Sequence, residues 1–370
     1  MVALALLVAS ASEAATLRIV NRDAPGEGFN DPTPVAPVGG NAGTTLGAQR
    51  LMAMQYAAEQ WGRSLVSPIE IRVAASFDDL GCSATSVTLG VASPIFVIEN
   101  FAGAPVADTF YPVALANMLA GMDLDPGEDD IDASFNGTFG TTCPFPAGWY
   151  YGLDAAGHPD DSDFVTVALH ELGHGLGFIT LVDVVTGTRF EGSDDIFMRF
   201  LVDAGSGERF ADMTNAERRA AITDTGFLRW DGGEVVAASA DVVIGADAFG
   251  RVEVYAPSFP QVGSSLSHWS NEVEPAELMA PFFDAPIHAL GLALPAMADI
   301  GWTVVTPPPC TGDCQSAGVV TIDDLITAVR IALGEADVAT CAAADGDGDG
   351  TVTIADLTSA VLAALDGCPG

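Results

Sequence analysis

Lysine is absent from this 370-residue chain: its 13 basic residues are all arginine, against 50 Asp and Glu, for a net charge of −37. The shortage of positive charge excludes two surface chemistries. A nucleic-acid binder neutralises phosphates with a basic face, and electrostatic docking on anionic lipid needs basic side chains as well. Long hydrophobic runs are also missing. Residues 2–8 are apolar, but a span of the bilayer takes about 20 such residues. Followed by the small-residue pattern Ser12-Glu13-Ala14, the run reads as a signal peptide over residues 1–15, and hence as a secreted chain. Histidine is scarce too, at five residues, which makes each a short-listed candidate for chemistry. The chain is nevertheless no disordered polymer: 49% of it is hydrophobic and only 17% charged, enough apolar material for more than one core.

The six cysteines are an even number, as a secreted disulfide framework requires. Cys82 and Cys143 are expected to form one bridge; Cys310, Cys314, Cys341 and Cys368 form two more whose pairing is open. Thr306-Pro307-Pro308-Pro309 is a stiff linker. It separates a body, 16–305, from a tail, 310–370. In the body, Leu51, Met54, Ala58, Trp61 and Leu65 recur at helical spacing. Strands are expected at 69–73, 91–98 and 131–135, an acidic loop at 121–132, and short strands and turns over 227–255. Thr214 and Glu217 form a capping box for a short helix ending near Gly226, and 290–300 reads as a last helix.

The strongest signal is His170-Glu171-Leu172-Gly173-His174, in a helical pattern running from Asp163 to Leu176. Residues i and i+4 share a helix face, so both imidazoles can hold one zinc ion, and Glu171 is placed to take a proton from a water that the metal polarises. Val165, Leu169, Leu172 and Leu176 can anchor the helix in a core, and Gly177 lets it end in a sharp turn. A catalytic zinc site needs a third protein ligand. The candidates are His268, His158, His288 and the acid Glu191. Asp160, Asp161 and Asp163 at the start of the helix complement its dipole.

Downstream stand Ser267-His268-Trp269 and Glu277-Leu278-Met279-Ala280-Pro281. With His170 to Phe178, these residues resemble the leishmanolysin-like branch (leishmanolysin and invadolysin) of the metzincin zinc peptidases. In the common metzincin pattern the third ligand lies three residues past the glycine, where this chain has Thr180. In the leishmanolysin-like branch an insertion intervenes, here 181–267. The resemblance implies His268 as third ligand, Met279 as the residue of a Met-turn beneath the metal, and Glu171 as general base in peptide hydrolysis. It further implies an α+β body, with a twisted sheet and the active-site helix above an irregular lower subdomain. Phe282 and Phe283 stand where some metzincins carry a tyrosine.

The tail contains a duplication. Residues 345–356 fit a calcium loop, with oxygen ligands from Asp345, Asp347, Asp349, the Thr351 carbonyl, Thr353 and Asp356, and Gly350 at the sixth position. Asp313, Thr321 and Asp324 repeat the frame with Gly318 in place, but Gln315 and Ala317 replace two acids, so this loop is expected to bind weakly at best. A helix follows each loop. The pattern resembles a dockerin domain, a small all-α module, which implies a cohesin-like partner. The reading is thus a secreted zinc endopeptidase acting on protein or peptide substrates, with Zn²⁺ and Ca²⁺ as cofactors. Its rivals are a non-catalytic surface or matrix binding protein on the same fold and a zinc amidase.

Overall fold

The computed structural model describes residues 14–156, 161–282, 285–305, 310–315, 319–346 and 350–366. The signal-peptide run, His158, Asp160, Phe283, the proline linker, Gly318, Asp347, Asp349 and Cys368 lie outside the described residues. The chain is mixed α+β, with eight α-helices and several small sheets among the described residues. None of those helices is long and apolar enough to cross a membrane.

Four strands, β1 (Leu17–Asn21), β2 (Ile71–Asp78), β3 (Gly90–Pro94) and β4 (Ile131–Asn136), form the largest sheet, in the order β1-β2-β4-β3. β1, β2 and β4 run parallel, with Leu17 opposite Ile71 and Val73 opposite Ile131. β3 closes one side antiparallel to β4. Pro94, with no N–H to offer, ends it, as suits an edge strand. Residues 69–73 were expected as a strand; it starts at Ile71 and continues to Asp78. The expected strand at 91–98 is two pieces, β3 and Val97–Ile98.

Val73, Ala75, Ile131, Ala133 and Phe135 alternate onto one buried face of this sheet. Helices α1 (Leu46–Ser64) and α3 (Phe164–Leu176) pack on each other and on the sheet. A short helix α2 (Val113–Ala120) ends at Gly121 in the left-handed region, opening the acidic loop. Thr45 caps α1 by accepting the Ala48 N–H, and Asp163 caps α3 by accepting that of Thr166. The sequence pattern assigns α3 one apolar face, yet all its residues are buried, as expected for a helix held between layers. Trp61 Nε1 donates to the Leu169 carbonyl at 2.9 Å and Trp302 Nε1 to that of Leu176 at 2.9 Å, so two indoles tie into the helix backbone.

The 181–267 segment contributes an antiparallel sheet of β5 (Leu201–Asp203), β6 (Leu228–Trp230) and β7 (Val252–Glu253). Helix α4 (Asn215–Ala221) has the expected capping box, but it stops at Ala221, ahead of the poor helix formers Thr223, Asp224 and Thr225. The expectation of only strands and turns over 227–255 is corrected by α5 (Gly233–Ala238). Its first N–H groups, those of Glu234 and Val235, are accepted by Asp299 from α6 (Ala293–Ile300), a tertiary cap with no local signature.

The cysteine expectation holds for Cys82–Cys143; in the tail Cys314 pairs with Cys341, and Cys310 is also disulfide-bonded. Helices α7 (Ile322–Ala332) and α8 (Ile354–Asp366) pack together there. The tail core is small, built around Ala328, Ile331, Cys341, Ala344 and Val352, so cross-links carry weight in it.

Candidate metal centre

His170 and His174 lie one turn apart on α3, and His268 arrives from beyond the insertion. The three Nε2 atoms form a triangle with sides of 3.0, 3.1 and 3.2 Å, and all three residues are buried. Among the described residues this is the one His/Cys/Asp/Glu group arranged to hold a metal ion. Two imidazoles on one tetrahedral ion, at about 2.0–2.1 Å each, have nitrogens about 3.3 Å apart, so the triangle is close to that size.

The hydrogen bonds fix which nitrogen carries the proton. Each Nδ1 faces a carbonyl oxygen, which can only accept: Leu278 for His170 at 2.8 Å, Phe178 for His174 at 2.8 Å, and Ser264 for His268 at 2.7 Å. Nδ1–H is therefore the donor in all three rings, and each Nε2 presents a lone pair. Burial holds the rings neutral: it pushes His170 and His268 well below the ordinary histidine range and His174 down to about 4. Three lone pairs aimed at each other repel unless a cation lies between them, so the cluster is one that could hold a metal ion.

Glu171 is buried beside this triangle. Burial raises its carboxyl to about 8, against the hydrogen bond from the backbone N–H of Ala92 in β3; a divalent cation nearby would draw it back down. The edge strand also passes close at Gly90, where a Cβ would stand 2.8 Å from Glu171 Cγ and Oε1. Gly90→Ala is therefore expected to displace the carboxylate without touching the histidines. Metal uptake by emission spectroscopy should stay at the wild-type level, while any hydrolytic kcat/KM that depends on Glu171 falls about 100-fold, the cost of misplacing a group by about 1 Å.

Met279 is fully buried against α3, where a Cβ on Gly173 would stand 2.7 Å from its Sδ. The glycine between Leu172 and His174 thus admits the methionine, and the neighbouring Leu278 carbonyl orients His170. Glu277 anchors this turn by accepting the Leu292 N–H at 2.8 Å. Burial raises its carboxyl to about 7 from 4.5. The folded state then holds the proton more tightly than the unfolded chain, so stability falls as pH rises from about 4.5 to 7. Glu277→Gln is expected to gain on wild type by about 3 kcal/mol across that window, read from denaturation midpoints at several pH values; parallel curves would refute it.

Gly177 ends α3 at φ 130°, and the turn it makes returns the Phe178 carbonyl to His174. Of the other third-ligand candidates, His158 lies outside the described residues, and His288 and Glu191 lie away from the cluster. His288 donates from Nε2 to Asp163 Oδ1 at 2.9 Å, at the far end of α3, and Glu191 is exposed in a short turn. Thr180 donates its hydroxyl to Asp195. Asp195, Gly90 and the three orienting carbonyls are site components that sequence reasoning missed. The carbonyls belong to residues of any type and carry no sequence signal. No family model matches the chain, and no curated protein resembles it at a significant level.

In the tail the two loop frames are built alike. Thr321 N–H and hydroxyl donate to Asp324 Oδ2 at 2.8 and 2.6 Å, and Thr353 does the same to Asp356 at 2.8 and 2.6 Å. The Thr353 hydroxyl and N–H hold the Asp356 carboxyl below the usual range. Gly346 N–H donates to Asp356 Oδ1 at 3.0 Å, and Gly350 N–H to Asp345 Oδ2 at 2.7 Å. The first and last acids of the second loop are thereby drawn together. Asp313 and Asp324 are both buried in the first.

Proposed function

We propose that the chain is a secreted zinc endopeptidase of leishmanolysin-like type, with a dockerin-like calcium-binding tail. The observation that carries it is the buried triangle of three Nε2 lone pairs with a carboxylate, Glu171, one residue from the first ligand. Imidazole donors at tetrahedral spacing suit zinc. Zinc, when bound, would supply Lewis acidity and lower the pKa of a water at its open position.

The protein's own groups do the rest. Glu171 accepts a proton at its carboxylate from the attacking water and hands it to the leaving amine. The Leu278, Phe178 and Ser264 carbonyls keep the three rings in one tautomer. β3 is an edge strand whose Ala92 N–H binds Glu171, so an extended peptide laid along that edge would bring a carbonyl to the site. Met279 supports the ligand helix from below. In the tail, Asp345, Asp347, Asp349, Thr351, Thr353 and Asp356 would hold calcium, with Asp313, Thr321 and Asp324 forming the weaker frame. The exposed Ile322 and Val329 of α7 and Leu333 at its C-cap, repeated as Ile354, Val361 and Leu365 of α8, are the surface a cohesin-like partner would cover.

The deciding experiment is cleavage of an unfolded protein by the purified chain with zinc and calcium, beside Glu171→Ala. Cleavage is expected from the wild type, blocked by a zinc chelator, and absent from the variant. Zinc uptake with no cleavage of any protein would instead favour the binding-protein reading.

A further inference from the structure

We propose that Asp195 is a positioning residue for the metal centre: it fastens the insertion to the exit of α3 and so sets where His268 meets His170 and His174. The inference presupposes a metal at the histidine cluster.

Asp195 is buried, and three donors end on its carboxylate. Oδ2 accepts the Thr180 hydroxyl at 2.8 Å and the Leu181 N–H at 2.8 Å, and Oδ1 accepts the Met198 N–H at 2.7 Å. Thr180 in turn donates its own N–H to Ser267 Oγ at 3.2 Å. Ser267 precedes His268 in the chain. The path from Asp195 to the third ligand therefore runs through one threonine and one serine, both buried. It ties the exit of α3 and the first stretch of the insertion, 15 residues apart, to the insertion's end, 87 residues beyond Thr180.

Aromatic packing holds the same segments together. Phe178 meets Phe197 and Trp269, each with ring centroids 5.0 Å apart. Ring contacts, however, are tolerant of sliding, whereas hydrogen bonds on one carboxylate are directional and short-ranged. Burying an acid is costly, and burial raises Asp195 to about 6. Asparagine would avoid the charge, but it has a single acceptor oxygen and would turn an NH₂ toward one of the donors. The acid at this position is what three converging donors require. A metal centre whose third ligand comes from beyond the insertion needs that insertion held in register, and Asp195 supplies the tie.

The test uses the full chain and reads the metal rather than catalysis. Zinc affinity is measured by competition with a chromophoric chelator, and ligand geometry by the visible absorption of the cobalt(II)-loaded protein. Asp195→Asn and Thr180→Val are expected to lose about 10–100-fold in zinc affinity, the usual cost of removing a group that orients a ligand. Both should also weaken the intense tetrahedral cobalt bands. Thr180→Ser, which keeps the hydroxyl, should restore affinity and spectrum. If Asp195→Asn fails to fold, the Thr180→Val and Thr180→Ser pair carries the test alone. Wild-type affinity and cobalt spectrum in Thr180→Val, whatever its melting temperature, would overturn the proposal. A wild type that takes up neither zinc nor cobalt would sink the metal centre itself, a different result from a loaded wild type with equally loaded variants.

Discussion

On the proposed reading, His268→Ala is expected to abolish metal uptake and hydrolysis together. The ring supplies one of three lone pairs at the centre, and its removal leaves two histidines on one helix face. Four-ligand zinc sites are worth about 10–16 kcal/mol, or about 3 kcal/mol per ligand, which is more than a hundredfold in affinity. Dialysis against a moderate chelator should strip the variant and leave the wild type loaded. The informative control is His288→Gln. His288 is as buried as His268 (each 4% exposed), but its partner is Asp163 at the amino end of α3. That variant should melt earlier yet keep its metal. If His268→Ala kept full metal and activity while His288→Gln lost them, the third-ligand assignment would be reversed.

Calcium removal is expected to loosen the tail and spare the body. The tail's buried clusters are small, and such a module leans on cross-links and bound ions. Calcium at about 100 times its dissociation constant would contribute about 2.7 kcal/mol. Chelation should therefore speed amide exchange in α8 about a hundredfold, with α1 and α3 unchanged. Asp345→Ala should mimic chelation. It removes the acceptor of the Gly350 N–H as well as the proposed calcium ligand, so its α8 should exchange fast with or without the ion. Exchange of wild-type α8 that ignores calcium would rule out the second loop as a site. The Cys314–Cys341 bridge sets a floor: the tail should loosen without dispersing, because the entry to α7 stays tied to the segment before the second loop.

Local patterns carried the parts of the molecule that are local. The helix α3 was legible because its cap, its apolar period and its terminal glycine lie within Asp163–Gly177, and each acts on its own neighbours. The duplicated tail was legible for the same reason: each loop frame and the helix after it are short contiguous patterns, and Thr321 with Asp324, and Thr353 with Asp356, are joined by local hydrogen bonds. The body's sheet order was not, since parallel partners such as β1 and β2 are separated by the whole of α1. Helix α5 escaped notice because what caps it, Asp299, lies far along the chain. Gly90 lies just outside the strand expected at 91–98 and carries no signal of its own; its closeness to Glu171 follows from where β3 packs.

Sequence alone determined the two histidines one turn apart, the carboxylate beside them, the acidic character and the repeated tail loops, because covalent spacing and helix geometry place those groups without help. Among the described third-ligand candidates, which one joins the two helix histidines was a matter of tertiary structure. Only folding brings His268 Nε2 to 3.1 Å from His170 Nε2, sends His288 to Asp163, and leaves Glu191 in solvent. It also decided the tautomers, through carbonyls of Leu278, Phe178 and Ser264 that no side-chain pattern announces. The physical reason is the same throughout: a lone pair's direction depends on what its ring's other nitrogen touches, and that contact is made across the fold.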